Sequence, residues 1–186
     1  LHDFCAKLFP ICRSITGDGV RETLNYIREL IPLEVLEVKS GTSVFDWNVP
    51  LEWNFREAFI EDEYGKRLVD TANSNLHVVQ YSEAIDQQVS LDCLQEHLYS
   101  IPEYPERIPY RTSYYQKQWG FCLSENQRRT LRPGNYRVRI DAKLQPGVLT
   151  YGEFFLPGRQ DKEIVISTHI CHPSLANDNL SGIAVT

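Results

Sequence analysis

The sequence has no methionine, no long apolar run and no excess of basic residues. Among 186 residues there are 19 Lys and Arg against 25 Asp and Glu, a formal net charge of −6. Proteins that bind nucleic acid broadly carry a basic stripe, so we expect no nucleic-acid partner. No apolar stretch approaches the ~18 residues that span a bilayer, so we expect no membrane partner either.

Cysteine is sparse and shows no pairing pattern. The five cysteines are odd in number, and no two have the Cys-x-x-Cys spacing. The first residues also lack the basic and apolar regions of a signal peptide. We therefore expect free, buried thiols in a reducing compartment, which predicts a cytoplasmic protein. The absence of Met at position 1 predicts a trimmed chain or a fragment of a longer reading frame.

The remaining composition is that of a globular protein with one or two domains, 42% hydrophobic and 24% charged. The first 44 residues have an αβ pattern. Apolar spacing predicts a helix that Pro10 ends or bends, then a second helix with Asp18 as its N-cap that ends at Pro32. Residues 33–38 follow with the composition of a strand.

Composition changes twice along the chain, which predicts three segments. Residues 1–44 would be the first part of an α/β domain, residues 45–133 an inserted β-rich domain, and residues 134–186 the continuation of the first domain. The inserted segment is too apolar for disorder. Its predicted elements are a strand at 76–81 and a helix at 89–99. The last segment predicts strands at 136–140, 148–156 and 163–168, a loop at 169–177 and a helix that begins at Asp178.

The candidate chemistry lies where the last strand ends. A side chain at the end of a buried strand is held rigidly and opens onto a cleft, and an imidazole such as His169 is a natural zinc ligand there. Nine residues later, Asp178 could supply an oxygen ligand from the opposite wall. A simpler alternative is that a backbone carbonyl satisfies His169 and that Asp178 only caps the following helix.

The stretch His169-Ile170-Cys171-His172-Pro173-Ser174-Leu175-Ala176-Asn177-Asp178-Asn179-Leu180-Ser181-Gly182 resembles the co-catalytic two-zinc aminopeptidase superfamily, which has a strand ending in His and then Asp-x-x-Ser-Gly at a helix start. The segments Phe45–Pro50, Ile108–Tyr110, Ser113–Tyr115 and Trp119–Cys122 resemble bacterial aminopeptidase-like proteins with a β-rich insertion, many of them labelled domains of unknown function and some associated with polysaccharide biosynthesis. The resemblance covers nearly the whole chain.

This resemblance implies a fold, a cofactor and ligands. The fold would be α/β, an incomplete zinc-exopeptidase-like (phosphorylase/hydrolase-like) three-layer sandwich with a β-rich insertion domain. Two zinc ions would be bound in the complete enzyme, with His169 as a terminal ligand and Asp178 as the bridging one. The general-base Glu, a second carboxylate pair and a late His would lie beyond Thr186, so we expect this fragment alone to be inactive.

One position departs from the better-known peptidases. The second residue after the ligand His is usually an Asp that orients the imidazole, and here it is Cys171, a weak acceptor. We take Cys171, His172 and Asn179 as second-shell or substrate-contact candidates. Ordinary structural roles, a buried thiol and a turn fixed by Pro173, are the alternatives for Cys171 and His172.

Three functions remain open. The first is a metallohydrolase that removes an N-terminal residue from a peptide or cleaves a small amide. The second, motivated by Cys171, is a non-catalytic scaffold or binding protein of this fold in polysaccharide biosynthesis. The third is a sugar-amide deacylase that uses the same metal site. Apolar surface on the broken sheet would be covered by the missing part or by a partner, so a homo-oligomer is also open.

Overall fold

A computed structural model describes residues 1–160 and 162–186. Contacts divide these residues into two compact units, one formed by Leu1–Glu52 with Gln145–Thr186 and the other by Trp53–Leu144. The units thus change at 52/53 and 144/145, whereas composition changes near 44/45 and 133/134. Compact units are not necessarily domains, so the domain assignment stays a prediction.

The discontinuous unit begins with two helices. Helix α1 (His2–Leu8) ends before Pro10, and helix α2 (Asp18–Arg28) has Gly17, not the predicted Asp18, as its N-cap residue. A Cβ on Gly19 would lie 2.2 Å from the carbonyl oxygen of Cys12, so only glycine fits this close approach.

Strands in this unit are few. Strand β1 (Glu34–Lys39) pairs antiparallel with β10 (Val148–Glu153), and the short strands β2 (Ser43–Val44) and β3 (Trp47–Asn48) form a hairpin. Helix α2 packs on β10 at Gly152, where an added Cβ would lie 2.9 Å from a methyl carbon of Leu24. The strand predicted at 33–38 is present as β1. The strand predicted at 148–156 is present as β10, which ends at Glu153.

The second unit contains a four-stranded sheet in the order β5-β4-β9-β6. Its strands are β4 (Glu52–Glu61), β5 (Arg67–Asp70), β6 (Ile85–Ser90) and β9 (Asn135–Gln145). Along β9, Tyr136, Val138, Ile140 and Ala142 are buried, and they alternate with more exposed residues. This alternation is typical of a strand with one face on the core, as the sequence predicts for 136–140.

The other elements of this unit are short. They are α3 (Leu91–Gln95), α4 (Glu125–Thr130) and the parallel pair β7 (Leu98–Tyr99) and β8 (Phe121–Cys122). The predicted helix at 89–99 is wrong at both ends, because residues 89–90 extend β6 and residues 98–99 form β7. The predicted strand at 76–81 is also wrong, because a 3₁₀ turn (Asn75–His77) precedes two isolated bridges at Val78 and Gln80.

The predicted buried strand at 163–168 is not formed. Residues 162–172 belong to no helix or strand, and Ile164, Val165 and Ile166 are 92%, 83% and 72% exposed. A strand needs a neighbour to accept its backbone hydrogen bonds, and no strand pairs with these residues in the described parts of the chain. The apolar run therefore has the composition of a strand but lacks the partner that would make it one.

Among the described residues, no helix is both long and apolar enough to cross a bilayer. All five cysteines are free, but they are not all buried: Cys122 is buried, Cys93 is exposed, and Cys5, Cys12 and Cys171 are intermediate.

Candidate metal centre

The candidate centre is formed by an extended loop and the turn that follows it. Residues 169–175 lead into a wide turn, Ala176–Leu180, and then into helix α5 (Ser181–Val185). Leu180 and Ile183 are buried in a cluster with Leu8 of α1. Burial of these apolar side chains fixes the turn on α1, and the polar residues of the loop stay at the surface.

His169 and Asp178 meet directly, as a shared site requires. His169 Nε2 donates to Asp178 Oδ1 at 2.8 Å, and the two side chains are 54% and 63% exposed. The hydrogen bond from His169 lowers the pKa of the Asp178 carboxyl below its usual value. Asp178 is therefore an anion at neutral pH, open to solvent and paired with an imidazole.

The alternative role of Asp178 as a helix cap is not what the structure shows. Helix α5 begins at Ser181 with Leu180 as its N-cap residue, so the predicted helix start at Asp178 is wrong. The backbone of Asp178 is non-helical, with φ −120° and ψ 84°, and its peptide bond to Asn179 is cis. The carboxylate faces His169 instead of the end of the helix.

A second imidazole faces the other oxygen of the same carboxylate. His172 Nε2 lies 3.9 Å from Asp178 Oδ2, and the ring centroids of His169 and His172 are 5.0 Å apart. Burial is the largest cause that lowers the pKa of His172. A lowered pKa favours the neutral imidazole, the form that can bind a metal.

Cys171 completes a cluster of donor atoms. Its Sγ lies 3.2 Å from His172 Nδ1, and ligand-type atoms of His169, Cys171 and His172 all lie within 4.8 Å of one another. Burial raises the pKa of the Cys171 thiol. The structure thus brings together four of the five residues singled out in the sequence: His169, Cys171, His172 and Asp178.

The fifth, Asn179, supports the loop. Its Nδ2 donates to Thr168 Oγ1 at 2.8 Å, which ties the turn to the residue before His169. A Cβ on Gly182 would lie 3.2 Å from the same Thr168 oxygen. The glycine of the Asp-x-x-Ser-Gly pattern therefore permits a tight approach of α5 to the loop.

Arg13 also supports the site, a role that the sequence does not predict. The residue is only 1% exposed, and its Nε donates to the backbone carbonyl of His172 at 3.1 Å. Burial lowers the pKa of its guanidinium to about 10, which leaves it charged at neutral pH. An arginine in the apolar run that includes Ile11 and Cys12 is the only local signal, and it does not identify a partner 159 residues away.

The donor types and their arrangement fit zinc. Imidazole nitrogen, thiolate sulfur and carboxylate oxygen are the ligands that zinc takes in proteins. The side chains of His169, Cys171 and His172, with the carboxylate of Asp178 in contact with His169, therefore have donor types that can hold a divalent metal.

The structure is a mixed α/β fold with a cluster of His, Cys and Asp side chains near its surface. Comparison with known proteins supplies the family. The chain belongs to the family described as "Domain of unknown function (DUF4910)", whose model matches residues 2–186. It is 49% identical over 185 residues to a Clostridium acetobutylicum protein named "Putative polysaccharide biosynthesis protein with aminopeptidase-like domain", covering 100% of this chain and 43% of that protein.

A solved structure has the same fold over this region. A crystal structure described as "putative peptidase from CLOSTRIDIUM ACETOBUTYLICUM" matches with a TM-score of 0.97 and 49% identity, covering 99% of this chain and 44% of the other. Both relatives are thus named as peptidase-like. The chain spans less than half the length of each relative that it matches.

Proposed function

We propose that this chain provides part of the metal centre of a zinc-dependent, aminopeptidase-like metallohydrolase acting on a peptide or a small amide. The observation that carries the proposal is the 2.8 Å contact between His169 and Asp178, two exposed donor side chains that are 9 residues apart in the chain. The peptidase-like names of relatives that are 49% identical support the same reaction class. We also propose that the protein is cytoplasmic.

The side chains have distinct parts in this proposal. His169 and Asp178 would hold the metal, and a bound zinc ion supplies Lewis-acid activation of a carbonyl group and of water. Asp178 contributes negative charge, because a carboxyl group whose pKa is no higher than that of an ordinary aspartate is ionised at neutral pH. Asn179 and Arg13 fix the loop from either end, through Thr168 and through the carbonyl of His172.

We also propose that the complete fold is a three-layer zinc-exopeptidase sandwich. In a three-layer zinc-exopeptidase sandwich, the exposed apolar run at 164–166 would become a strand covered on both faces. The relatives are more than twice as long as this chain, so they have residues that could supply those neighbours. The general-base Glu and the remaining metal ligands are expected outside residues 1–186.

Kinetics of the natural full-length protein test this function. We expect the zinc-loaded protein to release N-terminal residues from a peptide library. Loss of one supporting residue near a metal costs ~10–100-fold, so His169→Ala or Asp178→Ala should lower kcat/KM by more than that. His2→Ala is the matched control, because the His2 side chain is 96% exposed and lies 3.6 Å from Asp3, outside the candidate centre. Equal activity in all four proteins would reject the assignment.

A non-catalytic scaffold in polysaccharide biosynthesis is the second candidate. Cys171 in place of an orienting carboxylate favours it, and so does the word polysaccharide in the name of a relative. A scaffold would bind glycan intermediates without turnover. Calorimetry with glycan fragments, run beside the peptide assay, separates binding without cleavage from hydrolysis. Acyl-amino sugars in the same assay test the deacylase alternative.

A further inference from the structure

We infer that Cys171 and His172 are themselves metal ligands, and that with His169 they form a nitrogen–sulfur–nitrogen donor set for a thiophilic divalent cation. This inference rests on the proposed function, because it names further ligands of the same centre. It makes the centre a thiolate-containing one, which distinguishes it from a site built on imidazole and carboxylate alone.

The distances suit a shared ion. Zinc–nitrogen bonds of about 2.0–2.1 Å and zinc–sulfur bonds of about 2.3 Å place tetrahedral ligand atoms roughly 3.3–3.8 Å apart. Cys171 Sγ and His172 Nδ1 are 3.2 Å apart, close to that range. The whole set of His169, Cys171 and His172 lies within 4.8 Å, so shifts of the order of an ångström bring all three donors onto one ion.

The two nitrogens of His172 face different partners, as expected for a ligand histidine. Nδ1 points to Cys171 Sγ, and Nε2 lies 3.9 Å from Asp178 Oδ2. A metal-binding histidine commonly donates its other N–H to a carboxylate, which fixes the tautomer and the orientation of the ring. Asp178 can therefore serve as a ligand through Oδ1 and orient His172 through Oδ2.

The loop that carries these donors is held at two neighbouring residues, His172 and Ser174. Arg13 donates to the carbonyl of His172, and Ser174 Oγ donates to the carbonyl of Phe9 at 3.2 Å. Both anchors come from the segment that follows α1. A loop fixed at neighbouring residues loses less conformational freedom when it binds an ion, which favours a preorganised site.

Metal binding changes the protonation state of Cys171. The thiol of Cys171 gives up its proton to solvent when sulfur binds the cation, so one proton is released for each thiolate–metal bond. Because Sγ lies beside His172 Nδ1 at 3.2 Å, the thiolate formed in this way is already placed next to a second donor.

Cobalt(II) substitution in the natural full-length protein tests the inference. We expect metal-free protein loaded with cobalt to show visible ligand-field bands and a near-ultraviolet thiolate-to-cobalt charge-transfer band. Cys171→Ser should remove the charge-transfer band and leave the visible bands, and His172→Ala should weaken cobalt binding by about tenfold or more. Cys93→Ser is the matched control, because Cys93 is an exposed cysteine in the other compact unit.

Alkylation of the wild-type protein gives a second measurement that needs no variant to fold. Iodoacetamide labelling followed by peptide mapping should show that cobalt or zinc slows modification of Cys171 and leaves that of Cys93 unchanged. If cobalt binds through His169 but the charge-transfer band is absent and Cys171 stays reactive, this inference is overturned and the proposed function stands. If cobalt does not bind at all, both are overturned.

Discussion

Strand β9 and the apolar run at 163–168 have similar strand-forming composition but different structures. Tyr136–Ile140 of β9 alternate in burial, and β9 lies between β4 and β6 in its sheet. Ile164–Ile166 are as apolar, but they are exposed and pair with no strand in the described residues. The difference lies in the neighbours: β9 pairs with β4 and β6, and no strand among the described residues pairs with the run before the candidate site.

A matched pair of isoleucine truncations should show the largest difference between the two regions. Ile140 is 1% exposed, so Ile140→Ala leaves a cavity and should cost about 2–5 kcal/mol of unfolding free energy. Ile166 is 72% exposed, so Ile166→Ala in the 186-residue chain should stay within about 0.5 kcal/mol. Urea unfolding of both variants measures the difference, and equal losses would mean that the run is packed after all.

Two glycines of the discontinuous unit should likewise differ in how much a substitution by alanine destabilises the protein. In Gly19→Ala the new methyl would overlap the carbonyl of Cys12, which should cost about 1–3 kcal/mol. Gly158, next to the exposed run, has no described neighbour nearer than the Gln160 carbonyl oxygen at 4.0 Å, so Gly158→Ala should be nearly neutral. Thermal unfolding of the two variants measures the costs. A neutral Gly19→Ala would contradict the close approach at the start of α2.

The smallest effect concerns pH and a histidine of the second unit. Burial lowers the pKa of His77, whose Nδ1 donates to the carbonyl of Cys122 at 2.8 Å. The unfolded chain binds a proton near pH 6.5 and the folded protein does so only at lower pH. Stability should therefore fall as pH decreases through 6.5, by at most about 1.4 kcal/mol per pH unit.

The pH dependence can be assigned with one substitution. His77→Gln should flatten the dependence of unfolding free energy on pH between 7 and the folded pKa, and the exposed His2→Gln should leave it as in the wild type. An unchanged slope in His77→Gln would show that another group carries the effect.

The sequence predicts what depends on neighbours along the chain and misses what depends on distant partners. Periodic spacing identifies α1, α2 and β9, because each is stabilised by one apolar face. The same kind of pattern fails at 163–168, where pairing decides the outcome. It also fails at 76–81, where isolated bridges replace a strand.

In the candidate site, too, the sequence predicts contacts between residues close in the chain and misses contacts between distant ones. The loop spacing alone indicates that His169 and Asp178 could meet, and the structure shows the 2.8 Å contact. Their role as metal ligands stays a prediction. The support from Arg13 could not be predicted, because the hydrogen bond to His172 joins residues 159 positions apart.

Anomalous scattering at the zinc absorption edge, from crystals of the zinc-loaded natural full-length protein, would show whether His169 and Asp178 share a metal ion. We expect a peak within about 2.0–2.2 Å of both His169 Nε2 and an oxygen of Asp178, with their direct hydrogen bond replaced by metal bonds. A crystal with no peak there, and with His169 still donating directly to Asp178, would contradict this expectation.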